Sequence, residues 1–480
     1  MSEFEIGSAH VAITPGRQLI SSIPSFIPGP LSSPERYPLG LINHRLQDGL
    51  LPISESRNGN KYYAAFHTLC SGIGVQALLL PVAFTTLGPT WGVISLCVAF
   101  LWQLFTICLL LQLHETSDTR IRYSRYIQVF NVAFDNKLGK MVVWLSIMFL
   151  SGSTCLALIV IGGSTLTHFM HSICNIRALS TVELYLIFTC AVVIVSQLPN
   201  LNSLAYVSFV GAITAVGYCS FIWVVSVATG PIPLVSYEPV RAGSQIEQMV
   251  SVVNALGNIA FAFRGHNLIL EIQATMPSDE KYFSQVPMWK GVVTAYSIIL
   301  FCIFPVAIGG YWAYGNKIAN VEGMLWALHK FHSHDVSQFM LGLISVFIVI
   351  NALTSFPIYA MPTFDNMESN YTSRTERPCP WWLRVSFRAL FGFGCFVTAI
   401  AMPISGGIVC LAGSMTLPVT LSYPCFMWLK IKKPRKYTTL WWLNWGLGLL
   451  GMGFSCLSVA FGIHLVIHTG IQANFFKPRE

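Results

Sequence analysis

Eleven apolar runs divide this chain, at approximately 64–87, 90–112, 141–172, 181–199, 204–229, 248–271, 291–314, 337–363, 383–403, 406–429 and 440–468. A helix needs about 20 residues to cross the hydrocarbon core of a bilayer, and each run meets that length or comes close to it. Lipid offers no partner to a backbone N–H or C=O, so a run immersed in it must bond itself as a helix. The expected fold is therefore an all-α integral membrane protein with 11 transmembrane helices. Composition agrees with this. Charged residues are 10% of the 480, hydrophobic residues are 54% and the mean hydropathy is +0.61. Soluble domains carry about 25% charged residues.

The net charge of +8 does not point to nucleic acid. Its densest basic run, Lys430 to Lys436, lies between two apolar runs, where positive charge sets orientation. With the N-terminus placed in the cytoplasm, the cytoplasmic segments hold 21 Lys and Arg and the opposite segments hold 6. That asymmetry, with an odd helix count, puts the C-terminus outside. Most of the 13 cysteines fall in apolar runs and no CxxC pair occurs, so neither a disulfide framework nor a zinc site is expected. Residues 1–60 are polar and carry seven prolines without an apolar h-region. They are read as a disordered cytoplasmic tail, 61–470 as the transmembrane domain and 471–480 as a short extracellular tail.

Two runs differ from the rest. The first has Ser71-Gly72-Ile73-Gly74 near its middle, with Pro81 beyond. The sixth has Gly257 and then Arg264-Gly265-His266. Each glycine costs a helix interior about 1 kcal/mol relative to alanine. An arginine mid-membrane costs roughly 2.5–3.5 kcal/mol even on the lenient insertion scale. The two lie five helices apart, where transporters built from inverted repeats carry discontinuous helices. A break frees backbone groups that only a cavity or a ligand can satisfy. A half-helix N-terminus suits an anion such as an amino acid carboxylate.

The candidate substrate-binding residues are therefore Ser71, Gly72, Ile73, Gly74, Phe261, Phe263, Arg264 and Gly265. The two phenylalanines would wall or gate the site. Arg264 has three readings: a contact to a substrate carboxylate, a partner for an internal acid such as Glu271, or a route to water. The candidate ion-coupling residues are His266, which titrates near neutral pH, Glu271 beyond it, and Thr354 and Ser355 on the eighth run. These hydroxyls would serve a sodium ion, though Thr and Ser in helices commonly bond a carbonyl one turn back. Glu183 reads as interfacial. The stretch "HKFHSHD" (329–335) reads as an exposed outer loop without a metal.

Several stretches carry a resemblance: "LPISESRNGNKYYAAFHTLCSGIG", "AFRGHNLILEIQATMPS", "AIGGYWAYGN", "CPWWLRVSFRALFGFG" and "PCFMWLKIKKPRKYTTLWWLNW". From about residue 50 onward the chain resembles the plant lysine/histidine transporter-like group of the amino acid/auxin permease family. Arg264 stands where better-known members of that group carry a smaller residue. The resemblance implies a LeuT-type fold, a five-plus-five inverted repeat with an eleventh helix added. It implies proton-coupled symport of amino acids at the plasma membrane, with an endosomal or vacuolar membrane as the alternative site. Sodium coupling, or a non-transporting sensor of the same fold, are the other functions considered. No GxxxxGK[ST], HExxH or GxSxG motif occurs. An enzyme is not expected, and no cofactor, metal or nucleic acid is called for. The expected partners are an amino acid, a proton or sodium ion, and the lipid bilayer.

Overall fold

A computed structural model describes residues 57–115, 121–134, 136–241, 243–278, 283–320, 323–401 and 406–469. The expectations placed on residues 1–56 and 470–480 lie outside these. Among the described residues the structure is helical, and the only β pairing is an isolated bridge between Glu115 and Arg122. Eight helical stretches are long and apolar enough to cross a membrane, and Thr181–Val195 is a shorter apolar helix. The chain is a multi-pass membrane protein. Many large apolar side chains remain exposed on the helices, such as Leu101, Leu390, Leu450 and Ile467. In water this would be costly; against lipid tails it is the required surface.

The first interruption divides α1 (Lys61–Gly72) from a short 3-10 turn, Val75–Leu79, and then α2 (Leu80–Leu113). Asn60 caps α1, its side chain accepting from the N–H groups of Tyr62 and Tyr63. Inside α2, Gly88 takes φ 75°, ψ 171°, and Pro89 follows, so the chain turns there. After a short helix α3 (Tyr126–Ala133) come α4 (Lys137–His168), α5 (Thr181–Val195) and α6 (Ala205–Thr229). Glu183 closes a capping box with Ser180 at the start of α5, which accounts for an acid at that edge.

The second interruption separates α7 (Gln245–Phe261) from α8 (His266–Ala274). Then follow α9 (Gln285–Tyr314), α10 (Met324–His332), α11 (Gln338–Thr375) and α12 (Trp381–Ala401). The chain ends with α13 (Gly406–Leu421), α14 (Tyr423–Lys432) and α15 (Thr439–Thr469). The "HKFHSHD" stretch is not a loop throughout: His329 and His332 lie on α10, and His332 is buried beside the Tyr314 hydroxyl at 3.3 Å. A third interruption, which periodicity did not reveal, falls at Ser422, with Pro418 and Pro424 on either side. Its carbonyls are met from elsewhere, Val419 O by the Tyr126 hydroxyl and Leu421 O by the Trp102 indole.

Packing forms two groups. Helix α9 packs on α1 and α2, and α2 on α7, while α11 packs on α4 and α6, and α12 on α4 and α5. α6 and α11 both reach α1, and α8 touches α1, α2, α3 and α11. Both broken segments are thereby held between the groups. Glu368 on α11 ties the second group together: it pairs with Arg388 at 3.3 Å and Arg384 at 3.1 Å. Arg388 also donates to the carbonyls of Ser196, Leu198 and Pro199.

Candidate substrate site at two helix breaks

α1 stops because Ile73 (φ −102°, ψ 85°) and Gly74 (φ −98°, ψ 174°) leave the helical region. The Ile73 N–H still reaches Leu69 O at 2.8 Å, and the Gly74 carbonyl already accepts from Ala77. The carbonyls at the end of α1 are met by α11. Ser355 Oγ donates to Cys70 O at 3.2 Å, and the Tyr359 hydroxyl donates to Ser71 O. Ser71 Oγ itself donates back to His67 O at 2.8 Å.

At the second break Gly265 takes φ 135°, ψ −2°, a conformation that side chains other than glycine's disfavour. A Cβ placed on it would lie 3.5 Å from Ser71 Oγ, so the two breaks face each other. α2 clamps the second break on both sides: Gln103 donates to Ala260 O, and the Gln103 carbonyl accepts from His266 Nε2 at 3.2 Å.

Arg264 lies at the junction. It is 2% exposed. Its Nε donates to the Tyr359 hydroxyl at 3.2 Å, and that hydroxyl in turn meets Ser71 O. The guanidinium carbon stands 4.7 Å from the Phe261 ring centre and 4.9 Å from that of Tyr359. Both Nη atoms are buried without a hydrogen-bond partner. A Cβ built on Gly74 would come within 3.0 Å of Nη2, so the guanidinium lies against the first break.

The sequence candidates thus divide. Gly265 meets Ser71 and Gly74 meets Arg264, with Ile73 buried between α1 and Gly74, Gly72 packed against Ile299 and Phe261 against the guanidinium. Phe263 turns to α2 and packs edge-on with Phe100 at 5.7 Å. His266 also faces α2, with Nε2 at 2.8 Å from Thr106 Oγ1, and its Nδ1 is buried and unpartnered. Thr106 spends its own proton on α2 carbonyls, so the His266 Nε2–H is the donor there. Thr354 donates to Ile350 O and Asn351 O of its own helix.

Glu271 and Arg264 form no ion pair, because the break turns them apart. Glu271 is 2% exposed and its Oε2 is unpartnered. The charged groups acting on it are Asp365 of α11 and Arg125. Asp365 is equally buried, with Oδ2 unpartnered. Tyr359, Gln103 and Asp365 were not singled out in the sequence. Tyr359 and Gln103 are ordinary residues in apolar runs until their neighbours across the bundle are known, and Asp365 lies just past the end of the eighth run.

The end of the molecule where α1 begins is closed by polar contacts. The Gly59 N–H donates to Thr275 O at 2.9 Å, and Arg122 Nη2 donates to Gln273 O at 3.2 Å and Met276 O at 2.9 Å. Glu115 holds Arg122 Nε at 3.1 Å and accepts from Ser278 and Ser284. His114 donates from Nδ1 to Tyr123 O at 2.9 Å, and its Nε2 accepts from Arg122 at 3.3 Å. Burial, then the Arg122 charge, holds the His114 ring well below the ordinary histidine value of 6.5, with Arg57 acting the same way. A base held below its free value stabilises the closed contact fully above that free value. The stability falls as pH drops below about 6.5. Acidification to about pH 5 should therefore lower the protection of the Gly59 amide, measured as exchange relative to the intrinsic rate at the same pH, in the wild type. In His114→Gln that protection should lose its pH dependence; an unchanged profile would show that His114 does not control this contact.

The comparisons agree with one another. A family model described as "Transmembrane amino acid transporter protein" matches residues 57–468. The chain is 49% identical to Lysine histidine transporter-like 8 of Arabidopsis thaliana, over 90% of this chain and 84% of that one. It is 39% identical to Lysine histidine transporter-like 7 of the same plant, over 89% of each. A solved structure of a Na+-coupled sialic acid symporter, in a substrate-bound outward-open state, superposes with a TM-score of 0.56. That match is 11% identical and covers 90% of this chain and 98% of that one. At that identity the likeness concerns the fold alone.

Proposed function

The chain belongs to the transmembrane amino acid transporter family, and on that premise we propose that it is a proton-coupled symporter that carries amino acids into the cell. This is a transporter family and not an enzyme family. The observation that carries the substrate site is the meeting of two helix breaks around the free Nη groups of Arg264. An amino acid brings an anion and a cation. Free N–H groups at the starts of the 3-10 turn and α8 suit the carboxylate.

The proposed topology has eleven spans. The helical stretch Lys61–Leu113 divides at Gly88 into two spans, α5 is a short span, and α13 with α14 makes one interrupted span. The breaks in the first and sixth spans fit an inverted five-plus-five repeat. The Lys and Arg asymmetry supports a cytoplasmic N-terminus and an extracellular C-terminus. In that orientation the Arg122–Glu115 contacts face the cytoplasm. The plasma membrane is the proposed location.

Protons are favoured over sodium by the surroundings of α11. A sodium ion between α1 and α11 would need the Cys70 and Ser71 carbonyls, which already accept from Ser355 and Tyr359. It would also approach the Arg264 guanidinium, which Tyr359 links to Ser71. Glu271 and Asp365 instead offer two buried carboxyls beside Arg125, a grouping able to take up and return a proton.

The test is uptake of labelled amino acids into proteoliposomes holding the purified full chain. An inward proton gradient should accelerate uptake and a sodium gradient alone should not. Acceleration by sodium but not by protons would reverse the coupling assignment.

A further inference from the structure

Arg264 is a fixed cation in a buried site with no described counter-ion. Among the described residues it forms no ion pair, and its two Nη groups have no hydrogen-bond partner at 2% exposure. The rings of Phe261 and Tyr359 hold the guanidinium in place without neutralising it. Glu271, the acid nearest in sequence, answers instead to Asp365 and Arg125. A buried charge of this kind is costly unless a partner arrives. The backbone N–H groups freed at Gly74 and beyond, and at Gly265 to Asn267, can take the α-carboxylate that every amino acid has. That leaves the flat, two-pronged Nη edge for a second anion, which a side-chain carboxylate matches in a bidentate pair.

We propose that Arg264 makes the site selective for acidic amino acids, the dicarboxylate class, and turns away cationic side chains. The proposal rests on the amino acid transport reading and narrows its substrate class. A glutamate- or aspartate-like substrate supplies the missing counter-ion. The amide analogue of the same shape cannot. A lysine-like substrate brings a like charge close to a fixed one in a water-poor site.

The experiment is competition against labelled L-glutamate in proteoliposomes, with L-aspartate, L-glutamine and L-lysine as competitors. Binding is followed in parallel by the thermal shift of the detergent-solubilised wild type. Glutamate and aspartate should outcompete glutamine by on the order of tenfold to hundredfold, and lysine should compete least. Arg264→Gln should bring glutamate and glutamine to parity or invert them, and Arg264→Lys should keep the acidic preference in part. Should either variant fail to fold, the wild-type ranking decides alone. Equal competition by glutamine, or stronger competition by lysine, overturns the selectivity and leaves amino acid transport standing. No uptake and no thermal shift with any of the four overturns both.

Discussion

Gly265→Leu is expected to abolish uptake while leaving a folded protein in the membrane. Gly265 sits at φ 135°, where a side chain is strained whatever the space around it. Holding another residue there costs of order 1–3 kcal/mol. The alanine variant should therefore lose on the order of tenfold to hundredfold in uptake, if that cost falls on the transport-competent state. Leucine adds a second insult, because its branches must enter the space that ends at Ser71 Oγ, 3.5 Å from the Cβ position. The Gly72→Ala change is a useful contrast. Gly72 ends α1, and a Cβ there meets the far end of the Ile299 side chain, which can move. The alanine change at Gly72 should thus be milder than that at Gly265. Unchanged uptake by a correctly folded Gly265→Leu protein would remove the second break from the substrate site.

Glu271→Gln and Asp365→Asn should each leave amino acid exchange running while the stimulation by a proton gradient disappears. Both carboxyls are buried, and each has one oxygen without a hydrogen-bond partner. Glu271 lies on α8, directly after the second break, and Asp365 lies on α11, the helix that grips the first break through Ser355 and Tyr359. A proton shared there would couple the substrate site to the packing of α8 on α11 and α3. The other charges in reach of Asp365 are Arg125, Glu368, Arg388 and Arg384. Glu368 is already committed to Arg384 and Arg388, so it serves to hold α11 and α12 together. The measurement is the ratio of uptake with and without a pH gradient, in each variant and in wild type. A ratio kept at the wild-type level in both variants would eliminate the pair as the coupling site.

Much of this architecture could be read from residue order. The long apolar runs dictated helices because a bilayer allows little else, and the glycine pairs with Arg264 marked both breaks. What stayed hidden depends on contact between distant segments. Tyr359 is 288 residues from the Ser71 carbonyl it meets, and Gln103 is 157 from Ala260. Neither has a local pattern to betray it. Glu271 and Arg264 are seven residues apart, a spacing that puts two residues on one face of an unbroken helix. The turn at Gly265 cancels that geometry and gives Glu271 to Asp365 instead. The interruption at Ser422 has no distinct local pattern, because membrane helices also tolerate prolines without a break.

The most direct test of the central claim reads proton movement itself. Proteoliposomes holding the full chain are loaded with a pH-sensitive dye, and an amino acid substrate is added outside with no imposed gradient. The interior should acidify as the substrate enters, and Glu271→Gln should remove the acidification. Substrate accumulation with an interior pH that does not change would contradict that claim.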